Sequence, residues 1–437
     1  MLSTITNMFA LLARADEYDF DKILKKNKAL EVLSLEVAME EALENNALLK
    51  ANKADATAKK ARIIPSGALD DPMLEAAVSN YPINSLSARE SGMTGNEVML
   101  VQKFPFPGKR EKLKEFAAYE HKASSEEVER IKLDLIRSVK TTYYDLFLSY
   151  KREEVLHNQH KLLRNVQSVA QNKYALGTTS QIDIFELQIK AANLLVLLQE
   201  EEKKIAAKRA ALNHLLGREV HYSIWRPETI KESRIDSDRI AHDFAQQEAT
   251  NNNPKIRTLD SLRKAADSKV SYTELNTYPD FQVGVGYMQR FSNRDDDGAD
   301  FVTARVGINL PIWQRTKQKE EQREARADRS KMEALLQEGK IELSHDIHKT
   351  IAELTEAKNK IGIFRKALLP LADASITSGL KAYEANDASY LTVLNLINSR
   401  FEAENGYYEA LVQQESALAM LETLIATPIS NFIMKSK

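Results

Sequence analysis

Asp183 and Glu186 stand three residues apart in a stretch that reads as helix, so their carboxylates share one face. Acids held together attract cations, repel anions and push some of their own pKa values up. Asp183 also follows Ser180 by three, the spacing of a capping box, in which it holds a helix N-terminus and contributes roughly 1 kcal/mol. Both roles stay open, and they are compatible. His157 with His160, and His345 with His348, are i,i+3 pairs able to share a divalent ion, yet neither has a third ligand at fixed spacing. Exposed histidines on long helices are their default reading. Met73, Met99 and Met288 offer soft thioethers that either touch passing ions or fill space. Asp295-Asp296-Asp297 reads as a solvated turn. There is no Ser-His-Asp set, no His-Glu-x-x-His helix and no phosphate-cradling glycine loop, so the sequence supports neither an enzyme nor a cofactor.

These residues need long elements to position them. Only 14 Gly and 11 Pro occur in 437 residues, while 28% are charged, a balance that favours long exposed helices over a thick core. A net charge of −2 argues against a nucleic-acid partner. The absence of cysteine excludes disulfides and thiol catalysis. No run of about 18 apolar residues is present to span a membrane as a helix, but barrel strands need only about 10 alternating residues. Residues 1–15 look like the tail of a truncated secretory signal, with Ala13-Arg14-Ala15 as a cleavage site and a start expected upstream.

Ser34 is expected to cap a helix from Leu35 to Arg62, broken by Pro65, Gly67 and Pro72. Strands are predicted at about 73–80 and 96–104, then a helical hairpin over 109–216 turning at Gly177. Its first arm has no internal Pro or Gly and would reach roughly 100 Å at 1.5 Å per residue. The order then repeats. Asn46 and Asn253 lie 207 residues apart, Pro105 and Pro311 206, and Tyr174 and Tyr383 209. The chain therefore divides into a first repeat (16–216), an inter-repeat segment around the helices' waist (217–238), a second repeat (239–426) and a tail (427–437). The second repeat carries strands at about 280–289 and 300–309 and a hairpin over 314–426. Ile136, Val139, Tyr143, Leu146 and Tyr150, and likewise Ile182, Phe185, Ile189, Ala192 and Val196, repeat at 3, 4, 3, 4, the spacing of antiparallel coiled-coil seams.

The strands alternate. Phe281, Val283, Val285 and Tyr287 face away from Gln282, Gly284, Gly286 and Met288, and Val302, Ala304, Val306 and Ile308 away from Thr303, Arg305, Gly307 and Asn309. A half-buried soluble sheet gives the same pattern. Four strands, however, are too few to anchor such helices, and three copies would supply twelve, an even count within the range of closed barrels.

The doubled series resembles the TolC-type outer-membrane efflux family. The matching stretches are Leu35 to Asn46, Asn309-Leu310-Pro311-Ile312-Trp313 and Tyr174-x-x-Gly177-x-x-Ser180-x-x-Asp183. Asp71-Pro72-Met73-Leu74 and Phe104 to Arg110 resemble its heavy-metal branch of the Cus and Czc type, which often carries a lipid-bearing N-terminal cysteine that these 437 residues lack. The resemblance implies a mostly α fold with a small β part. Duplicated hairpins form an α-barrel, and four strands per chain join a homotrimer's twelve-stranded barrel. It implies a passive export duct through the outer membrane and periplasm, working with a periplasmic adaptor and an inner-membrane pump. By the same resemblance Asp183, Glu186, Thr392 and Asn395 fall at the gate, with only one hairpin furnishing acid. Gly177, Thr178, Ser180, Asn386, Asp387 and Ser389 fall at adaptor-docking turns, and Pro105, Gly108, Pro311 and Trp313 at strand-to-helix junctions. A periplasmic adaptor or a soluble coiled-coil scaffold is the alternative. An adaptor normally has one hairpin and glycine-rich β-modules, and a scaffold leaves the paired strands unexplained.

Overall fold

Alternating strand sequence and capped, glycine-poor helix sequence give the elements their order. The computed structural model describes residues 31–219, 225–230, 232–233, 242–294 and 296–429. The proposed signal segment 1–15, residues 16–30 of the first repeat, residues 220–224, 231 and 234–238 of the inter-repeat segment, residues 239–241 and Asp295 of the second repeat and residues 430–437 of the tail lie outside these. The described elements are β1 (Glu31–Leu33), α1 (Leu35–Asn45), α2 (Ala47–Ser66), β2 (Met73–Ser79), β3 (Gly95–Phe104), α3 (Lys109–Ala175) and α4 (Gln181–Leu216). They continue with β4 (Trp225–Pro227), α5 (His242–Asn252), α6 (Pro254–Leu275), β5 (Asp280–Arg290), β6 (Phe301–Asn309), α7 (Gln318–Ile363), α8 (Leu369–Glu384) and α9 (Tyr390–Ile425).

Several details depart from the sequence reading, among them the end of α2, which runs through Pro65 to Ser66. The first helix is two helices, because Asn46 leaves helical geometry and its side chain caps α2 by accepting from Leu49 N at 3.1 Å. The second long helix passes through one widened turn at Phe364–Leu368 before α8, where Pro370 lacks the N–H that an unbroken helix needs.

Residues 51–129 and 254–341 form one compact unit. Its sheet is fully antiparallel in the order β2-β3-β5-β6, so among the described residues β2 and β6 each keep one unpaired edge. The register aligns Leu74 with Leu100, Leu100 with Val285 and Val285 with Ala304 on one face. Among the described residues nothing covers that apolar face: Leu74 is 69% exposed, Val285 56% and Val302 76%. The opposite face carries Glu75, Glu97, Gln282, Thr303, Arg305 and Asn309, with Met73, Met99 and Met288 among them. Arg305 reaches Glu97 at 3.4 Å across Gly284 and Gly286. Apolar residues pointing at solvent and charges pointing the other way invert the arrangement of a soluble sheet.

The helices beside this sheet are held by polar ties. Asp55 accepts from Ser124 at 2.9 Å between α2 and α3, and Asp267 pairs with Arg329 at 2.8 Å between α6 and α7. At the β3–α3 junction, Gly108 turns the chain at φ +91°. Asp280 there accepts from Phe106 N and from the buried Lys109 ammonium, both at 2.7 Å, and the Phe106 and Tyr278 rings stack at 4.6 Å. At the matching β6–α7 junction Pro311 is half-buried and Trp313 is 68% exposed. In the β5–β6 loop, Asp296 accepts from Arg290 and from Gly298 N, so this acid clamps the loop and is more than a solvated turn.

The described residues within 31–50, 130–253 and 342–429 form the other unit. Here α3 packs with α4, and α8 with α9, around Leu163, Val166, Leu187, Leu198, Val393 and Ile397. The seam at Val139, Tyr143 and Leu146 is buried as its spacing predicts. The second seam is corrected. On α4 the buried stripe is Ile184, Leu187, Leu194 and Leu198, whereas Ile182, Phe185, Ile189 and Val196 are exposed. Helix α4 therefore has two apolar stripes, and among the described residues only one is buried. The duplication reappears as matched bolts: Asn46 Nδ2 donates to Leu215 O at 3.1 Å and Asn253 Nδ2 to Leu424 O at 2.9 Å, each closing a helix C-terminus. Trp225–Pro227, within the inter-repeat segment, pairs in parallel with Glu31–Leu33. Tyr143 fixes that pair by donating to Leu33 O at 2.6 Å and accepting from Glu228 N at 2.7 Å.

Candidate functional site: the paired helical turns

Both hairpin turns follow from local chemistry. Gly177 adopts φ +74° and Asn386 φ +67°, the left-handed region that these two residue types enter most readily. Each turn closes on the preceding helix, through Thr178 N to Lys173 O at 2.9 Å and Asp387 N to Ala382 O at 2.8 Å. Each return helix starts on a serine. Ser180 Oγ accepts from Ile182 N at 2.9 Å, and Ser389 Oγ accepts from Thr392 N at 3.2 Å.

The capping role of Asp183 is met: its carboxylate accepts from Ser180 N at 3.4 Å and from Thr179 Oγ1 at 2.6 Å. Glu186, exposed one turn on, accepts from the Tyr390 hydroxyl of the other hairpin. This hydrogen bond is the main reason the Tyr390 phenol is pushed up to about 12, since ionisation would set two anions side by side. Thr392 and Asn395 are exposed on α9, and Thr392 Oγ1 lies 3.0 Å from Ser389 Oγ.

The two turns border a cleft of about 670 Å³. Residues proposed from sequence line it: Gly177, Thr178, Ser180, Asp183, Asn386 and Ser389. Its centre is a lysine that sequence reasoning passed over. Lys173, 8% exposed, donates to Tyr383 O and, at 2.5 Å, to Asn386 Oδ1, and its ammonium lies 4.3 Å from the centre of the Tyr383 ring. One buried cation on the first hairpin thus holds the turn of the second. The signal for Tyr383 was its repeat partner Tyr174, but the two have diverged: Tyr383 is buried and Tyr174 is 47% exposed. Burial first, and then the Asp183 charge, pushes the Tyr383 phenol up.

His160 is buried, and His348 stands against His242 on α5, with ring centres 4.8 Å apart. Among the described residues no three His, Asp or Glu side chains converge at metal-binding geometry. Among them, too, no helix is long and apolar enough to cross a membrane.

Residues 38–218 match the outer membrane efflux protein family. The cobalt-zinc-cadmium resistance protein CzcC of Cupriavidus metallidurans is 20% identical over 397 residues, covering 90% of each chain. Among solved structures, the outer membrane protein VceC of Vibrio cholerae superposes with a TM-score of 0.76 at 19% identity, covering 90% of this chain and 96% of its own. CusC, whose crystal structures concern transmembrane channel formation, superposes with a TM-score of 0.75 at 13% identity, covering 90% of this chain and 91% of its own.

Proposed function

We propose that this outer membrane efflux protein is the passive exit duct of a tripartite pump, built from three copies of the chain. One observation carries the reading: a four-stranded sheet with an uncovered apolar face and two unpaired edges. A lone sheet of this kind is unstable in water and prone to edge pairing. Three copies pairing β2 of one with β6 of the next close a barrel of twelve strands, with the apolar face toward lipid and Glu97 and Arg305 toward a polar lumen. The helical hairpins line the periplasmic tunnel.

In this reading the paired turns are the gate and the docking surface for a periplasmic adaptor, and an inner-membrane pump supplies the energy. Asp183 and Glu186 from three copies set six carboxylates around the closing pore, favouring cations. Thr392 and Asn395 supply neutral positions between them. Tyr390–Glu186 and Lys173–Asn386 hold each protomer's turns together in the resting state. The likeness to CzcC supports divalent metal cations as the cargo. The duct catalyses nothing; it supplies a path.

The test is ion selectivity in planar bilayers. Asp183→Asn with Glu186→Gln is expected to move a cation-preferring conductance toward anions. Unchanged selectivity rejects the gate assignment, and absence of any conductance from purified protein rejects the duct.

A further inference from the structure

We propose that His242 and His348 form a binding site for a divalent transition-metal ion, tying the first residue of α5 to α7. The site stands apart from the paired turns and does not depend on the duct reading.

Three observations carry it. The imidazole rings lie 4.8 Å apart centre to centre with their planes inclined by 48°, so they are not a parallel stack. An ion bound to two imidazoles sits about 2.0–2.1 Å from each nitrogen and therefore about 3.1 Å from each ring centre. At ligand angles from square to tetrahedral, that places the centres about 4.4–5.1 Å apart. The rings already have the required spacing.

Second, His348 Nδ1 lies 3.2 Å from the carbonyl oxygen of Ser344. A carbonyl only accepts, so Nδ1 carries the proton and Nε2 keeps its lone pair. A backbone carbonyl on the far nitrogen is the support that metal-bound histidines use to fix tautomer and orientation. Third, both side chains are exposed, so an ion reaches them directly and water completes its coordination.

Two protein ligands make an exchangeable site rather than a closed structural one. Imidazole nitrogen and the order of first-row affinities favour Cu²⁺ over Ni²⁺ and Zn²⁺. An ion bridging α5 and α7 also stabilises the folded chain by mass action.

The test is titration of the purified full-length protein with Cu²⁺, followed by electron paramagnetic resonance, alongside thermal shifts with Ni²⁺. The expected spectrum shows two coordinated imidazoles. His242→Ala and His348→Ala should each weaken Cu²⁺ binding at least tenfold and abolish the Ni²⁺ thermal shift, whereas His345→Ala should change affinity less than twofold. His242→Asn and His348→Asn repeat the test should an alanine variant misfold, with circular dichroism as the check. If His345→Ala is the damaging change and His242→Ala is silent, the ion sits on the i,i+3 pair and the proposal fails. Binding indifferent to all three substitutions also overturns it. Channel conductance is unaffected in either case, so the duct reading is tested separately.

Discussion

Lys173 places a full charge where the chain offers it a carbonyl, an amide oxygen and an aromatic face instead of a carboxylate. Hydrogen bonds to a charged group contribute about 1.5–3 kcal/mol each, so one such side chain can hold a turn. Lys173→Met keeps the stem and removes the ammonium. Amide exchange over residues 383–390 is expected to quicken by roughly ten- to thirtyfold, while exchange in the α3–α4 core stays slow. Unchanged exchange would show that the turn holds without the lysine. Tyr390 gives a second residue-scale prediction. Its folded pKa is raised to about 12 by Glu186, so the bond is complete below the ordinary phenol value near 10 and is lost as pH climbs through about 12. The phenolate titration isolated by subtracting Tyr390→Phe should move down toward about 10 in Glu186→Gln. A midpoint that stays put would exclude this pairing.

At the scale of elements, α4 shows what a sequence discloses and where it stops. Period-2 alternation made the strands legible, because a strand has only two faces and one was plainly apolar. Helix α4 has two apolar stripes of the same period, and spacing alone cannot say which packs within the chain. The exposed stripe, with Ile189 at 59% and Val196 at 59%, awaits a neighbouring copy in the proposed trimer. Ile189→Asp should therefore abolish heat-resistant trimers on gels while leaving the chain's own helicity intact. A trimer of normal heat resistance would place this stripe outside the protomer contacts. Other features were illegible for distinct reasons. The β1–β4 pair is three residues long and joins distant segments, so no pattern length was available. His242 and His348 come from separate helices, so no fixed spacing announces them. The asparagine bolts, by contrast, could be anticipated from the duplication itself. Asn253→Ala strands the Leu424 carbonyl in a buried setting and is expected to cost about 1–3 kcal/mol, read as a lowered unfolding midpoint. A midpoint that does not move would mean water takes over the bond.

On the scale of the whole molecule, three features of the chain bear on the proposed trimer. Among the described residues its sheet face is uncovered, its β2 and β6 edges are unpaired and one α4 stripe is exposed, and the proposed trimer answers all three. In the proposed barrel this face meets lipid. Val302→Arg sets a charge on it and should destabilise the barrel by about 2–4 kcal/mol near the bilayer centre, lowering recovery from the outer-membrane fraction. Wild-type recovery of this variant would mean that β6 does not face hydrocarbon. The most direct measurement is native mass spectrometry of the purified chain released from detergent micelles. A particle of three 49.4 kDa chains, persisting on dilution, is the outcome expected of the proposed trimer. A monodisperse single chain under those conditions would contradict it.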